Sequence, residues 1–295
     1  MYKKICVVTS SYYSFPLIHH LKQQGLLEQV LLHPKGVLMQ EAIQNMIQPL
    51  SLAIIGDTTR PNVTNSCDLV IVIGYPDKIR WTHNAKIVNV HFGPLPENRG
   101  PDPVFWTLRN GKNLAYVAIH ELTDQWDAGL VLKEKSVDIM SGENYGLLSS
   151  RLSHLSVSLL SEVISGGSKP REQEQDRVQY NSRPDTEDCM IKWSEMSALQ
   201  VESLVRACNP VHGGAKACLR GTIVSFHEVE PAEINLPKDQ NYEPGTIVHS
   251  SAKEGLFVIC KDLKYLKINV LSLNEGIFSG NKLAALGTPA GTMFT

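Results

Sequence analysis

No Gly-x-Gly-x-x-Gly follows the first strand-like run, residues 5–9. A Rossmann dinucleotide site uses those glycines for its tight turn and for close approach to the pyrophosphate, so that reading loses its main support. The six cysteines, Cys6, Cys67, Cys189, Cys208, Cys218 and Cys260, are scattered and form no Cys-x-x-Cys pair. They read as free thiols of a cytosolic protein, most of them in core or strand positions. No His/Cys cluster has zinc-ligand spacing, and no Ser or Cys stands in a nucleophile pattern. Metal chemistry and covalent catalysis are therefore not expected. No apolar run is long enough to span a bilayer, and the run after Met1-Tyr2-Lys3-Lys4 is too short for a signal peptide. A cytoplasmic location is the expectation. Excess positive charge is missing as well: 28 Lys and Arg face 30 Asp and Glu, for a net charge of −2. That argues against a strong general attraction to nucleic acid.

What is present is an ordinary globular chain of 295 residues, long enough for one large or two smaller domains. Apolar runs at 5–9, 29–32, 52–56, 69–74 and 86–91 read as strands, with helical stretches at 15–24 and 36–47 between them. In the second helix Val37, Met39, Ala42 and Met46 make a partial apolar face. The run at 69–74 is apolar throughout, as a parallel strand buried on both faces should be. Residues 103–111 read as a short helix that buries Trp106, 114–121 and 130–137 as two further strands, and 145–164 as a long helix with Leu148, Leu152, Leu155, Leu159 and Val163 toward the core. The pattern predicts a doubly wound, mostly parallel, Rossmann-like α/β domain over residues 1–165. Residues 166–188 are polar, mixed in charge and poor in apolar anchors, and read as a linker. From 189 to 295 a helix at 197–207, with Leu199, Val201, Leu204 and Val205 as buried positions, precedes five short strand-like runs. Those suggest a small OB-like barrel.

The most informative stretch is Ile87-Val88-Asn89-Val90-His91-Phe92-Gly93-Pro94-Leu95-Pro96-Glu97-Asn98-Arg99-Gly100-Pro101. An apolar run enters Asn89, and a Gly/Pro loop begins right after His91. Side chains alternate along a strand, so Asn89 and His91 share a face at its carboxyl end, where open α/β sheets place their ligands. Pro94 and Pro96 stiffen the loop, while Gly93 and Gly100 permit close backbone approach. Farther on, His120 ends a strand, as a second site imidazole or as a structural residue. The loop after it carries Asp124 and Asp127.

Asn89, His91, Leu95-Pro96, Arg99-Gly100 and Asp127 within Asp124-Gln125-Trp126-Asp127-Ala128-Gly129 together resemble the signature of the 10-formyltetrahydrofolate-dependent formyltransferases. The resemblance runs from about Val70 to the C-terminus. Gly93-Pro94-Leu95-Pro96 stands where that family often has Ser-Leu-Leu-Pro. The segments Ile191-Lys192-Trp193, Val205-Arg206-Ala207-Cys208-Asn209-Pro210 and Gly213-Gly214-Ala215 are similar to the C-terminal domain of the family's tRNA-directed members. The resemblance implies Asn89, His91 and Asp127 as catalytic residues, Asn89 and His91 stabilising the oxyanion and Asp127 supporting His91, and Tyr75, Pro76, Leu95, Thr123, Asp124, Trp126 and Gly129 as residues that bind the folate. On physical grounds alone, Tyr75-Pro76 is equally a plain strand-end loop.

The implied reaction moves a formyl group from 10-formyltetrahydrofolate, a co-substrate, to a primary amine, without a metal. Such acyl transfer needs a donor aimed at the developing oxyanion and a route for the amine's surplus proton. Three acceptors stay open. One is a small amine, such as an amino-sugar nucleotide, an amino acid or a peptide; the second is charged initiator tRNA; the third is water, in a hydrolase, or no acceptor at all, in a folate-binding protein, against which the intact Asn89, His91 and Asp127 argue. A hydrolase of this kind usually carries an extra N-terminal domain, and this chain starts at its first strand. A tRNA enzyme should carry basic loops. Residues 33–48 hold one lysine and one glutamate, and the linker balances Lys169, Arg171, Arg177 and Arg183 with acids. The charge pattern therefore favours the small amine, while the C-terminal barrel counts toward tRNA.

Overall fold

The computed structural model describes residues 2–64, 66–80, 84–234 and 242–295. It divides into two compact units, one of residues 1–103, 114–138 and 149–182, the other of 104–113, 139–148 and 183–295.

The first unit is built on a seven-stranded sheet. Its elements are β1 (Ile5–Thr9), α1 (Phe15–Gln23), β2 (Leu27–Leu32), α2 (Gln40–Ile47), β3 (Ser51–Ile54), β4 (Leu69–Ile73) and β5 (Lys86–His91). Then, after α3 (Pro103–Arg109), come β6 (Leu114–Glu121), β7 (Val131–Asp138) and α4 (Tyr145–Ile164); α3, from Val104 on, and the first turn of α4 count with the second unit. The order across the sheet is β3-β2-β1-β4-β5-β6-β7. β1 to β5 pair in parallel, while β6 and β7 add antiparallel. Every residue of β1 and β4 is buried, which is what their unbroken apolar runs require. The winding reverses between β1 and β4, so their carboxyl ends and that of β5 open on the crevice where such sheets bind ligands.

Several local expectations change. Residues 34–39 form a 3₁₀ turn ahead of α2, and the buried row is Met39, Ile43 and Ile47, one every four residues. Val37 and Leu38 are exposed instead. In α3 Phe105 takes the core position, with Val104, Thr107 and Leu108, while Trp106 is only half-buried. In α4 Leu155 is half-buried, and the buried face takes in Ser149, Ser153 and Ser156. Small side chains let that helix come close: Ser153 donates to the Tyr13 carbonyl. Two of the expected free thiols are not free. Cys6 in β1 and Cys67 just before β4 are joined in a disulfide, because the parallel pairing of those strands brings their Cα atoms to 6.2 Å. Cys189, Cys208, Cys218 and Cys260 remain free.

The second unit contains α5 (Ala198–Cys208), β8 (Ala215–Leu219), β9 (Thr222–Ala232), β10 (Ile247–Ser251), β11 (Gly255–Ile259), β12 (Tyr265–Leu273), β13 (Gly276–Ser279) and α6 (Gly280–Ala285). Ser197 and Gln200 cap α5 reciprocally, each side chain bonding the other's backbone N–H. Val201, Leu204 and Val205 are buried as expected; Leu199 points to solvent. The strands form a separate antiparallel sheet of order β10-β11-β12-β9-β8, with β13 on β12. This path is open, so the strands by themselves do not close the expected barrel. Residues at the C-terminus bond to both edges instead: Met293 bridges Thr246, beside β10, and Phe294 bridges Leu219 of β8. Phe294, Trp193 and Phe226 pack together with ring centroids 5.1–6.0 Å apart.

Residues 171–181 do not behave as a free tether. Arg171 bridges Val131 of β7, and Tyr180 bridges Arg99 in the loop after β5. Arg99 is 1 % exposed. Its guanidinium donates twice to Gln173 Oε1, at 2.9 and 2.8 Å, and once to the Tyr180 hydroxyl, at 3.0 Å. A buried guanidinium needs such acceptors, because unpaired burial of a charge is costly. Replacing Gln173 by Leu removes one acceptor and two of the three hydrogen bonds at once. We expect a stability loss of about 3 kcal/mol. Arg99→Met should cost a similar amount, and the double variant should cost less than the sum of the two. Urea unfolding of the four proteins checks this; strict additivity would mean that the two side chains act independently.

Candidate active site

Asn89 and His91 leave the same face of β5, and the loop after β6 brings Asp127 against both. Asn89 Nδ2 donates to Asp127 Oδ1 at 3.4 Å, and His91 Nδ1 lies 3.8 Å from Asp127 Oδ2. The three expected catalytic residues are therefore together. A fourth joins them: His120, opposite Asn89 in the β5–β6 ladder, has its Nε2 3.1 Å from Asn89 Nδ2 and 3.4 Å from Asp127 Oδ1. His91 and His120 are almost fully buried and meet edge to face, 6.1 Å between ring centroids.

The far side of each ring fixes its tautomer. His91 Nε2 is 2.7 Å from the Asn98 carbonyl, and His120 Nδ1 is 2.9 Å from the Glu121 carbonyl. A carbonyl only accepts, so both far nitrogens carry the hydrogen. In the neutral rings, His91 Nδ1 and His120 Nε2 then face Asp127 with bare lone pairs. Burial holds the His91 imidazole below its ordinary pKa, against the opposing pull of the Asp127 charge. Burial alone would raise the Asp127 carboxyl, yet His91, His120 and the Gly100 N–H together hold it well below the usual carboxylate range. The resting site is a neutral His91 beside an ionised Asp127.

Asp127 is itself held under strain. Its φ is +51°, a region that non-glycine residues rarely adopt. The Gly100 N–H donates to Asp127 Oδ2 at 2.8 Å, and Gln173 Nε2 donates to the backbone carbonyls of Asp127 and Gly129, each at 2.8 Å. Gln173 thus ties the Asp127 loop to Arg99. Nothing in the polar, charge-mixed sequence around Gln173 marks it for this task; only the return of the chain over the sheet does. Gly93 earns its place by space. A Cβ there would stand 2.8 Å from Pro103 Cβ and 3.1 Å from His91 Nε2.

An open cleft adjoins the site, lined by Val72, Tyr75, Asp77, Lys78, Ile79, Asn89, Leu122, Thr123, Gln125, Trp126 and Asp127. Of the residues expected to bind a cofactor, Tyr75, Thr123 and Trp126 line this cleft. Pro76, Leu95, Asp124 and Gly129 are not on its wall. The Leu95 side chain packs in an apolar cluster with Ala118 and Val131. Asp77, Lys78, Ile79 and Gln125 line the cleft without having been foreseen. The Tyr75 hydroxyl donates to the Thr58 carbonyl at 2.6 Å, which fixes its ring at the rim. Among the described residues no helix is long and apolar enough to cross a membrane.

A family model described as "Formyl transferase" matches residues 63–164, and one described as "Formyl transferase, C-terminal domain" matches residues 184–280. The methionyl-tRNA formyltransferase of Caldicellulosiruptor saccharolyticus is 30% identical over 216 residues, covering 71% of this chain and 67% of that protein. The methionyl-tRNA formyltransferase of Lactobacillus acidophilus is 28% identical over 269 residues, 88% of this chain and 81% of its own. Among solved structures, HypX from Aquifex aeolicus in complex with tetrahydrofolic acid superposes with a TM-score of 0.64 at 19% identity over 96% of this chain. The chain spans about half of HypX, 47% of its length. WlaRD, a sugar 3N-formyl transferase, gives a TM-score of 0.64 at 12% identity, covering 90% of this chain and 96% of its own. At these identities the two structures speak for the fold alone.

Gly129 offers a test of the loop geometry. A Cβ there would lie 1.9 Å from the Glu121 carbonyl oxygen, which belongs to β6 and cannot step aside. Gly129→Ala should cost roughly 1–3 kcal/mol and displace Asp127 from His91 and His120. Thermal melting with a crystal structure of the variant checks both; an unshifted loop at full stability would contradict the argument.

Proposed function

Because the chain belongs to the formyl transferase family, we propose that it is an enzyme that carries the formyl group of 10-formyltetrahydrofolate to the primary amine of a small acceptor. The observation that supports this reading most is the convergence of Asn89, His91 and Asp127 beside an open cleft at the end of β5. In this reading the folate lies in the cleft against Tyr75, Thr123 and Trp126. The amine attacks the formyl carbon, a C–N bond forms, and the carbonyl electrons move to oxygen. Asn89 donates its amide N–H to that oxyanion. His91 Nδ1, bare in the resting site, takes the amine's surplus proton, and the Asp127 carboxylate stabilises the imidazolium that results. The C–N bond to the folate then breaks, and the departing nitrogen takes the proton from His91. The N-formylated acceptor and tetrahydrofolate are the products. No side chain is acylated, and no metal takes part.

The choice of a small acceptor rests on charge. The chain carries a net −2. Two linker arginines are already paired: Arg171 with Glu134, and Arg177 with Glu97 and Glu174. Phosphate contacts dominate affinity for tRNA, and they need free cations. The second reading, transfer to methionyl-tRNA, is favoured by the names of the relatives and by the C-terminal domain they share with this chain. We propose that this domain works as a small closed barrel, with the C-terminal residues 291–295 supplying the missing pairing between its two edges.

Replacing His91 by Asn removes the proton acceptor. We expect kcat to fall about 10²–10³-fold, followed as release of tetrahydrofolate with a panel of amines. A folded variant with near-normal turnover would sink the assignment. For the acceptor, initiator tRNA should bind at ~150 mM salt no tighter than the ~10⁻⁴–10⁻⁶ M of non-specific contacts. Fluorescence titration with charged tRNA decides this. Sub-micromolar, salt-sensitive binding with formylation of the methionine would make the tRNA reading the answer.

A further inference from the structure

The two bare ring nitrogens and the Asp127 carboxylate are aimed at one another. The ligating atoms of His91, His120 and Asp127 all lie within 4.8 Å of each other. His120 Nε2 is 3.4 Å from Asp127 Oδ1, and His91 Nδ1 is 3.8 Å from Asp127 Oδ2. Three electron-pair donors so placed repel one another unless something positive lies among them. The Asn89 N–H supplies part of that charge, reaching His120 Nε2 and Asp127 Oδ1.

This arrangement is also how proteins hold a metal. Each ring directs its far N–H to a backbone carbonyl, Asn98 for His91 and Glu121 for His120, which fixes tautomer and orientation. Asp127 is anchored by the Gly100 N–H. In a tetrahedral zinc site with bonds of about 2.0–2.1 Å, neighbouring ligand atoms stand about 3.3–3.4 Å apart. The two separations from Asp127, 3.4 and 3.8 Å, are within a few tenths of an ångström of that, and the set as a whole, within 4.8 Å, closes by at most about 1.4 Å to reach it. Two imidazoles and one carboxylate suit zinc and its neighbours; magnesium and calcium prefer oxygen alone. The set is invisible as a spacing motif, since its members come from two strands and a loop.

We propose that His91, His120 and Asp127 bind one divalent transition-metal ion of the zinc class, and that the bound ion blocks the place of the acceptor amine. Asn89, with its amide turned over, offers a carbonyl oxygen as a fourth ligand. The ion inhibits; it has no part in the transfer. The binding claim stands apart from the formyl-transfer reading, whereas the blocking claim rests on it.

Cobalt(II) titration of the chelator-treated full chain tests the binding claim. We expect ligand-field absorption in the visible saturating at one ion per chain, no thiolate-to-cobalt charge-transfer band, displacement by zinc and none by magnesium. His120→Gln should weaken binding at least tenfold. Asn89→Asp, which replaces the neutral fourth ligand with a charged one, should tighten it at least tenfold. Absence of the ligand-field bands, a thiolate band, or affinities unmoved in both variants overturns the proposal. In parallel, zinc should inhibit formyl transfer in proportion to its occupancy of the site. Full occupancy with undiminished turnover overturns the blocking claim alone. A protein that binds cobalt as described yet transfers formyl to no amine, with no metal present, overturns the functional reading and leaves the metal site standing.

Discussion

The first unit is arranged around one buried carboxylate. Asp127 stays ionised in an almost dry setting because the Gly100 and Asn89 N–H groups donate to its carboxylate and the imidazoles of His91 and His120 beside it take up a proton before it does. Burying a charge without such partners would cost several kcal/mol, so each partner must be held firmly in place. That demand reaches far into the fold. His91 must end β5, His120 must end the antiparallel strand beside it, and the loop between β6 and β7 must fold back over both. The left-handed backbone at Asp127 is the local strain this requires.

The strain is offset by a segment that looked expendable. Residues 171–181 return across the sheet, and Gln173 clasps the backbone on both sides of the Asp127 turn. Its carbonyl end accepts from Arg99, two residues before the end of the Asn89-to-Pro101 stretch. A single amide thus couples the two loops that carry the site. Rigidity of this kind is what acyl transfer calls for, since a misplaced donor or proton acceptor stabilises the transition state poorly.

The same geometry underlies both uses proposed for the site. Lone pairs and a carboxylate turned inward suit an incoming amine, which brings N–H groups and a surplus proton. They suit a transition-metal cation for the same reason. His91 and His120 are alike in this respect: each is pinned by a carbonyl behind it, and each shows a bare nitrogen to the carboxylate in front.

Much of this was legible in the residues. The alternation of Asn89 and His91, the fully apolar run of β4 and the Gly/Pro loop after His91 dictated a parallel sheet with polar groups at a strand end, because strand periodicity and glycine's small size act locally. Asp127 was recognisable only through its resemblance to a family motif. Tertiary structure decided the rest. His120 became part of the site through the β5–β6 register, a pairing across distant sequence that no local pattern encodes. Gln173 gained its role from a chain return, the Leu95 side chain packs in a core cluster with Ala118 and Val131, and Cys6 met Cys67 because two parallel strands lie side by side. Local sequence sets which backbone conformations are cheap; which side chains meet is set by long-range packing, and the chemistry of this site depends on those meetings.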